Sequence, residues 1–154
     1  MNPTSTEDPE ILLVGEDSLT FHVPTEMSQG HVVAMEVSIP AGGGPPMLHR
    51  HAADELYRVD TGQLAFYVEG AGGEISRVEK RAGQVTFIAG GLEHTIRNES
   101  QGPATAFVVF SGDASPMERF VREAAALAGD GPPAVRSIIE TAERHGIEMT
   151  RPIG

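Results

Sequence analysis

His49-Arg50-His51-Ala52-Ala53-Asp54-Glu55 is the stretch on which the reading of this chain turns. Strand side chains alternate between faces, so His49 and His51 point one way and Arg50 the other. Glu55 stands four residues beyond His51, and an unbroken strand would carry its carboxylate to the same face. Imidazole nitrogens and a carboxylate oxygen suit a divalent first-row transition ion. A further imidazole, His94, arrives after a long gap, at the end of Gly90-Gly-Leu-Glu-His94. A centre built from both stretches needs a β fold that returns on itself.

The sequence on either side supplies such strands. In His31–Ile39 the alternate positions Val33, Met35, Val37 and Ile39 are uniformly apolar, which predicts a strand with that face in a core. Ile11–Val14 and Leu19–Val23 predict a first hairpin. Pro40-Ala-Gly-Gly-Gly-Pro-Pro46 stops pairing and turns the chain. Strands are then expected at Leu56–Val59, Gln63–Val68, Ile75–Val78, Val85–Ile88, His94–Arg97 and Thr105–Phe110, with Gly-rich breaks between them. Gly90-Gly91 suits a two-residue hairpin turn. Regular spacing of this kind predicts an all-β antiparallel sandwich or barrel.

Beyond residue 112 the period changes. Ser115-Pro-Met-Glu118 has the form of a capping box, and Met117, Phe120, Val121 and Ala124 recur at helical spacing up to a stop at Gly129. After Pro132-Pro133, a second stripe of Val135, Ile138, Ile139 and Ala142 runs to Gly146. Two helices alone bury too little to stand as a domain, so they are expected to cover the sheet or a dimer contact. The expected organisation is a flexible tail over 1–10, a β-barrel over 11–112 and a C-terminal helical extension over 113–154.

Composition narrows the chemistry. The chain has no Cys, so disulfides and thiolate metal sites are excluded, and any metal must live on nitrogen and oxygen. A net charge of −11 disfavours binding to phosphate backbones, so no nucleic acid partner is expected. No apolar run approaches a membrane span, and no signal segment opens the chain, which reads as soluble and cytoplasmic.

Taken together, the motifs resemble those of the cupin superfamily. Gly43, five residues, His49-x-His51, three residues, Glu55, six residues and Gly62 match the first cupin motif. Gly83, seven residues, Gly91, then His94 and Asn98 match the second, with Ala89 where the family usually has Pro. The resemblance implies a double-stranded β-barrel (jelly roll) with the two helices packed outside. It also implies that His49, His51, Glu55 and His94 ligate one divalent metal ion: Fe, Mn, Ni, Co, Cu or Zn. Gly42-Gly-Gly-Pro-Pro46 and the helical tail into Arg144-His-Gly-Ile-Glu148 are similar to the quercetin dioxygenase-like monocupins.

That likeness makes a metal-dependent dioxygenase the leading expectation, with a small aromatic or enol-bearing metabolite and O₂ as partners. The rivals are a metal-assisted isomerase, cyclase or dehydratase and a non-catalytic small-molecule binder. Glu55 has two candidate roles, as a ligand or as a catalytic general base, and the second needs a carboxyl whose proton affinity the barrel interior raises. Met47 shares parity with His49, and Tyr57 with Glu55, so both are expected to line a substrate pocket; Phe66 and Phe107 are the remaining candidates. Arg50 should point outward and pair with Asp54, and Asn98 should fix the turn after its strand. His22, His31 and His145 read as surface or packing residues. A homodimer joined through the N-terminal strand or the C-terminal helices would protect a sheet edge.

Overall fold

Residues 9–128 and 134–153 are described by a computed structural model of the chain. The chain runs β1 (Glu10–Val14), β2 (Asp17–Val23), α1 (Thr25–Ser28), β3 (Val32–Ile39), β4 (Met47–Arg50), β5 (Asp54–Thr61), β6 (Gln63–Glu69) and β7 (Ile75–Arg81). It continues with β8 (Val85–Ile88), β9 (His94–Arg97), β10 (Ala104–Ser111), α2 (Ser115–Ala128), α3 (Val135–Arg144) and β11 (Glu148–Pro152). One sheet has the order β1-β2-β3-β10-β5-β8 and the other β11-β4-β9-β6-β7, with antiparallel pairing throughout. Non-consecutive neighbours such as β3-β10 and β4-β9 give the jelly-roll barrel that the motifs imply.

The alternation read from residues 33 to 39 holds. Val33, Met35, Val37 and Ile39 are all buried, and on β10, paired beside them, Ala104, Ala106, Val108 and Phe110 are buried in alternation. Phe66 and Leu64 of the opposite sheet close the same core. Each fully buried side chain of this size contributes roughly 1.5–3 kcal/mol by leaving water.

Four expectations need correcting. The strand carrying the two histidines does not run unbroken to Glu55. Pairing stops after Arg50, the chain bends through residues 51–53, and β4 and β5 join different sheets. The corner is tied down by the Gly91 N–H, which donates to the His51 carbonyl at 2.8 Å, and the Gly90 N–H, which donates to the Asp54 carboxylate at 2.7 Å. Nor is Gly90-Gly91 a hairpin turn, since β8 pairs with β5 while β9 pairs with β4 and β6. A Cβ at Gly90 would overlap the Ala52 carbonyl, so close approach of two backbones is what requires glycine there.

Glu118 does not complete a capping box. Its carboxylate accepts from the Thr25 N–H at 3.2 Å and the Thr25 hydroxyl at 2.5 Å, so it caps α1, across the fold, rather than its own helix. Finally, the extension is not purely helical. Glu148–Pro152 forms β11, whose Met149 lies directly opposite His49 on β4. The alternation in Glu148-Met-Thr-Arg-Pro152 is too short and polar to stand out in sequence. Residues 1–8 of the expected tail, the stop at Gly129 and the Pro132-Pro133 break lie outside the described residues. Among the described residues, no helix is long and apolar enough to cross a membrane.

Candidate metal centre

His49 and His94 are direct Cα partners across β4 and β9, and His51 lies just beyond the end of β4, where the chain turns over. Ring nitrogens of His49, His51 and His94 all lie within 4.8 Å of one another, and all three side chains are buried. Glu55 reaches this cluster from the other sheet. Its Oε2 abuts Nε2 of His94 and lies 3.5 Å from Nε2 of His51. Convergence of the first and second stretches is therefore achieved across the barrel, between sheets, and not by parity along one strand.

Two of the imidazoles are oriented by the backbone. Nδ1 of His49 lies 3.2 Å from the Met47 carbonyl oxygen, and Nδ1 of His94 lies 2.8 Å from that of Leu92. A carbonyl only accepts, so each Nδ1 carries the proton and each Nε2 offers a lone pair. Burial pulls the His49 pKa down to about 4, with His94 nearby adding to the effect, so this ring is neutral at pH 7. Burial also opposes the charge on Glu55, but the His51 and His94 rings outweigh it and hold its carboxyl well below the usual carboxylate range. His94 shows the reciprocal effect: burial lowers its proton affinity, yet the Glu55 carboxylate overcomes this and the net shift is upward.

The donor set fits a divalent ion. Both ring nitrogens of His51, Nε2 of His94 and Oε2 of Glu55 are buried with no hydrogen-bond partner. Uncompensated burial of such groups is costly, and a cation shared among them removes the cost. Three imidazoles and one carboxylate match the nitrogen and oxygen preference expected of a chain without cysteine.

Above the cluster lies a cavity of about 440 Å³, within the range of small-molecule sites. Met47 and Tyr57 line it. Tyr57 also donates its hydroxyl to Oε1 of Glu55 at 3.1 Å, and burial beside this carboxylate drives the phenol pKa well above its ordinary value. Phe66 does not reach the cavity wall; it is fully buried, edge-on to Tyr57 with ring centroids 5.1 Å apart. Phe107 lies on the outer face of its sheet, under the Arg58 guanidinium at 5.4 Å and 6.0 Å from the His22 ring. It alternates out of phase with the inward Ala106 and Val108.

Arg50 points outward as expected, but it pairs with Glu93 at 3.4 Å and Glu148 at 3.7 Å rather than with Asp54. Asn98 does fix its turn: its side-chain amide donates to the carbonyls of Ile39 and Gly102, and its oxygen accepts from Ser100. His145 pairs with Glu123 at 3.1 Å. Glu93 is the functional neighbour that sequence reasoning missed. It is buried, and its carboxylate accepts from the Thr150 hydroxyl at 2.7 Å and from Arg151 at 2.9 Å. This clamps β11 to the strand that carries His94. Its position next to His94, with parity opposite to that ligand, was the signal available.

The Cupin domain family matches residues 35–110, the segment that carries all four candidate ligands. The chain contains a cupin domain. Among solved structures, oxalate oxidase shares the fold with a TM-score of 0.56 and 23% identity, over 86% of this chain and 67% of that one. A predicted oxalate decarboxylase from Thermotoga maritima gives 0.55 and 22%, over 67% and 90%. Drosophila melanogaster CENP-C, in its complex with CAL1, gives 0.59 and 15%, over 70% and 85%. At these identities the likeness is one of fold. No protein of curated function matches the sequence.

Proposed function

We propose that this cupin-domain protein is a metal-dependent dioxygenase that acts on a small aromatic or enol-bearing metabolite. The observation that carries the reading is the cluster of buried ligand atoms on His51, Glu55 and His94 that make no hydrogen bond, with Glu55 and His94 lining a largely apolar cavity. His49, His51, His94 and Glu55 would hold the ion. When bound, such an ion supplies Lewis acidity toward a substrate hydroxyl and, if redox-active, electron exchange with O₂.

The chain's own residues do the rest. Main-chain carbonyls fix the tautomers of His49 and His94, and Tyr57 holds Oε1 of Glu55, leaving Oε2 toward the two histidines. The depressed proton affinity of Glu55 runs against the general-base role and favours a ligand that stays anionic. Met35, Val37 and Ile39 of the cavity wall exclude water and favour an apolar ligand body. Oxalate, named for two of the fold neighbours, is too small and polar to use such a wall.

The test is oxygen uptake by protein loaded separately with Fe, Mn, Ni, Co or Cu, against a panel of flavonols, catechols and enols. Substrate-dependent O₂ consumption supports the reading. Product formation under strict anaerobiosis replaces it with non-oxidative chemistry, and ligand binding without turnover replaces it with a binding role.

A further inference from the structure

We infer that the α2–α3 arm and β11 build an apolar half of the cavity wall and make it selective for ligands with a rigid, uncharged body; this deepens the proposed function and rests on it. The polar groups of the inner end are His49, His94, Glu55 and Tyr57. The C-terminal elements contribute a second part of the wall: Phe120, Val121 and Ala124 of α2, Ile138 and Ile139 of α3, and Met149 of β11. These residues follow the matched cupin segment 35–110, so this half of the pocket is a feature of the chain's own extension.

The arm is fastened where it can serve the site. Met149 sits opposite His49, the Thr150 hydroxyl donates to the Leu48 carbonyl at 3.0 Å, and Glu93 holds Thr150 and Arg151. Charge decides the rest. Apart from the inner cluster, the ionisable groups along the wall are Glu16 and Asp17, both acidic and both at the β1–β2 turn. Among the described residues that line the cavity, none is Lys or Arg. An anionic group on the ligand body would lose its hydration beside these carboxylates, and the nearby cation, Arg97, is already engaged by Asp17 and by the Gly42 and Gly44 carbonyls, whereas an aromatic body gains by burial.

A matched pair of probes tests this. N-phenyl-1-naphthylamine is neutral, and 8-anilinonaphthalene-1-sulfonate places a sulfonate on the same aryl skeleton. Fluorescence titration of the full chain, with metal content measured in parallel, should show one neutral probe per chain and on the order of tenfold or weaker binding of the sulfonate. Ile139→Trp should weaken the neutral probe by a similar factor without changing metal content or the melting temperature. Phe120→Ala, which widens the same half, should change probe affinity while keeping metal. Phe87→Ala, on an exposed residue of the outer sheet face, should change nothing.

Equal binding of the two probes overturns the inference, as does probe binding that survives Ile139→Trp and Phe120→Ala but is lost in Phe87→Ala. Metal bound without probe refutes the inference and leaves the metal centre standing. Probe bound without metal refutes the proposed function and leaves the apolar arm.

Discussion

Replacing Glu93 by Gln removes one charge from the clamp that holds β11 against β4 and β9, and its consequences follow from the partners. Arg50 and Arg151 have side chains that are 39% and 57% exposed, so each ion pair is screened by water and contributes about 0–1 kcal/mol. The Thr150 hydrogen bond, at 2.7 Å and part-buried, adds about 1 kcal/mol. An amide nitrogen turned toward guanidinium donors leaves one buried group unsatisfied, at a further cost of about 1 kcal/mol. Their sum, roughly 2–4 kcal/mol, corresponds to a fall in Tm of roughly 4–16 °C for a chain of this length.

The pH dependence adds a sign. Hydrogen bonding from Thr150, with Arg151 and Arg50 beside it, outweighs burial and holds the Glu93 carboxyl below its ordinary 4.5. A depressed folded pKa contributes stability that is present above the unfolded value and is lost as pH falls through the folded one. The Tm difference between wild type and Glu93→Gln, measured by differential scanning calorimetry, should therefore be constant from pH 8 to about 5 and shrink below about 4.5. A shift under about 1 °C at pH 7, or a gap that does not close in acid, would refute the clamp.

Two further outcomes can be checked. Gly90→Ala should cost about 2–4 kcal/mol, because its Cβ meets the Ala52 backbone, whereas Gly91→Ala, in open space at φ 88°, should cost only about 1–2 kcal/mol. Urea unfolding of both variants gives the order, and the reverse order would contradict the tied corner. Metal uptake should release protons and tighten as pH rises, because a proton held by His94 competes with the ion. In the metal-free protein the sign reverses: the raised His94 pKa stabilises the fold below about 6.5, a contribution lost as pH rises through the folded value. Calorimetric titration in buffers of different ionisation enthalpy measures the proton count, and a count that does not vary with pH would contradict this coupling.

The parts of this fold legible in sequence were those set by local periodicity. Val33, Met35, Val37 and Ile39 declared their face through alternation alone, and the α2 and α3 stripes declared theirs through helical spacing. The histidine pair was legible for the same reason. What escaped was set by long-range geometry. Nothing local in Ala52-Ala53-Asp54 says that the strand breaks and crosses to the second sheet, yet that crossing is what brings Glu55 to the cluster. Glu118 satisfies the spacing of a capping box but finds a better partner in Thr25, 93 residues away. Phe107 was misplaced because an aromatic residue in a barrel strand reads equally as inward or outward. Here its neighbours Ala106 and Val108 take the inner face, and Arg58 covers its ring.

Elemental analysis of protein purified without added metal, joined to anomalous scattering from its crystals, addresses the metal centre most directly. One transition ion per chain is expected, at about 2.0–2.2 Å from Nε2 of His49, His51 and His94 and from a carboxylate oxygen of Glu55. His94→Ala should remove it from a chain that stays folded. A folded wild-type protein that takes up none of Mn, Fe, Co, Ni, Cu or Zn, or that binds an ion elsewhere, would contradict the account.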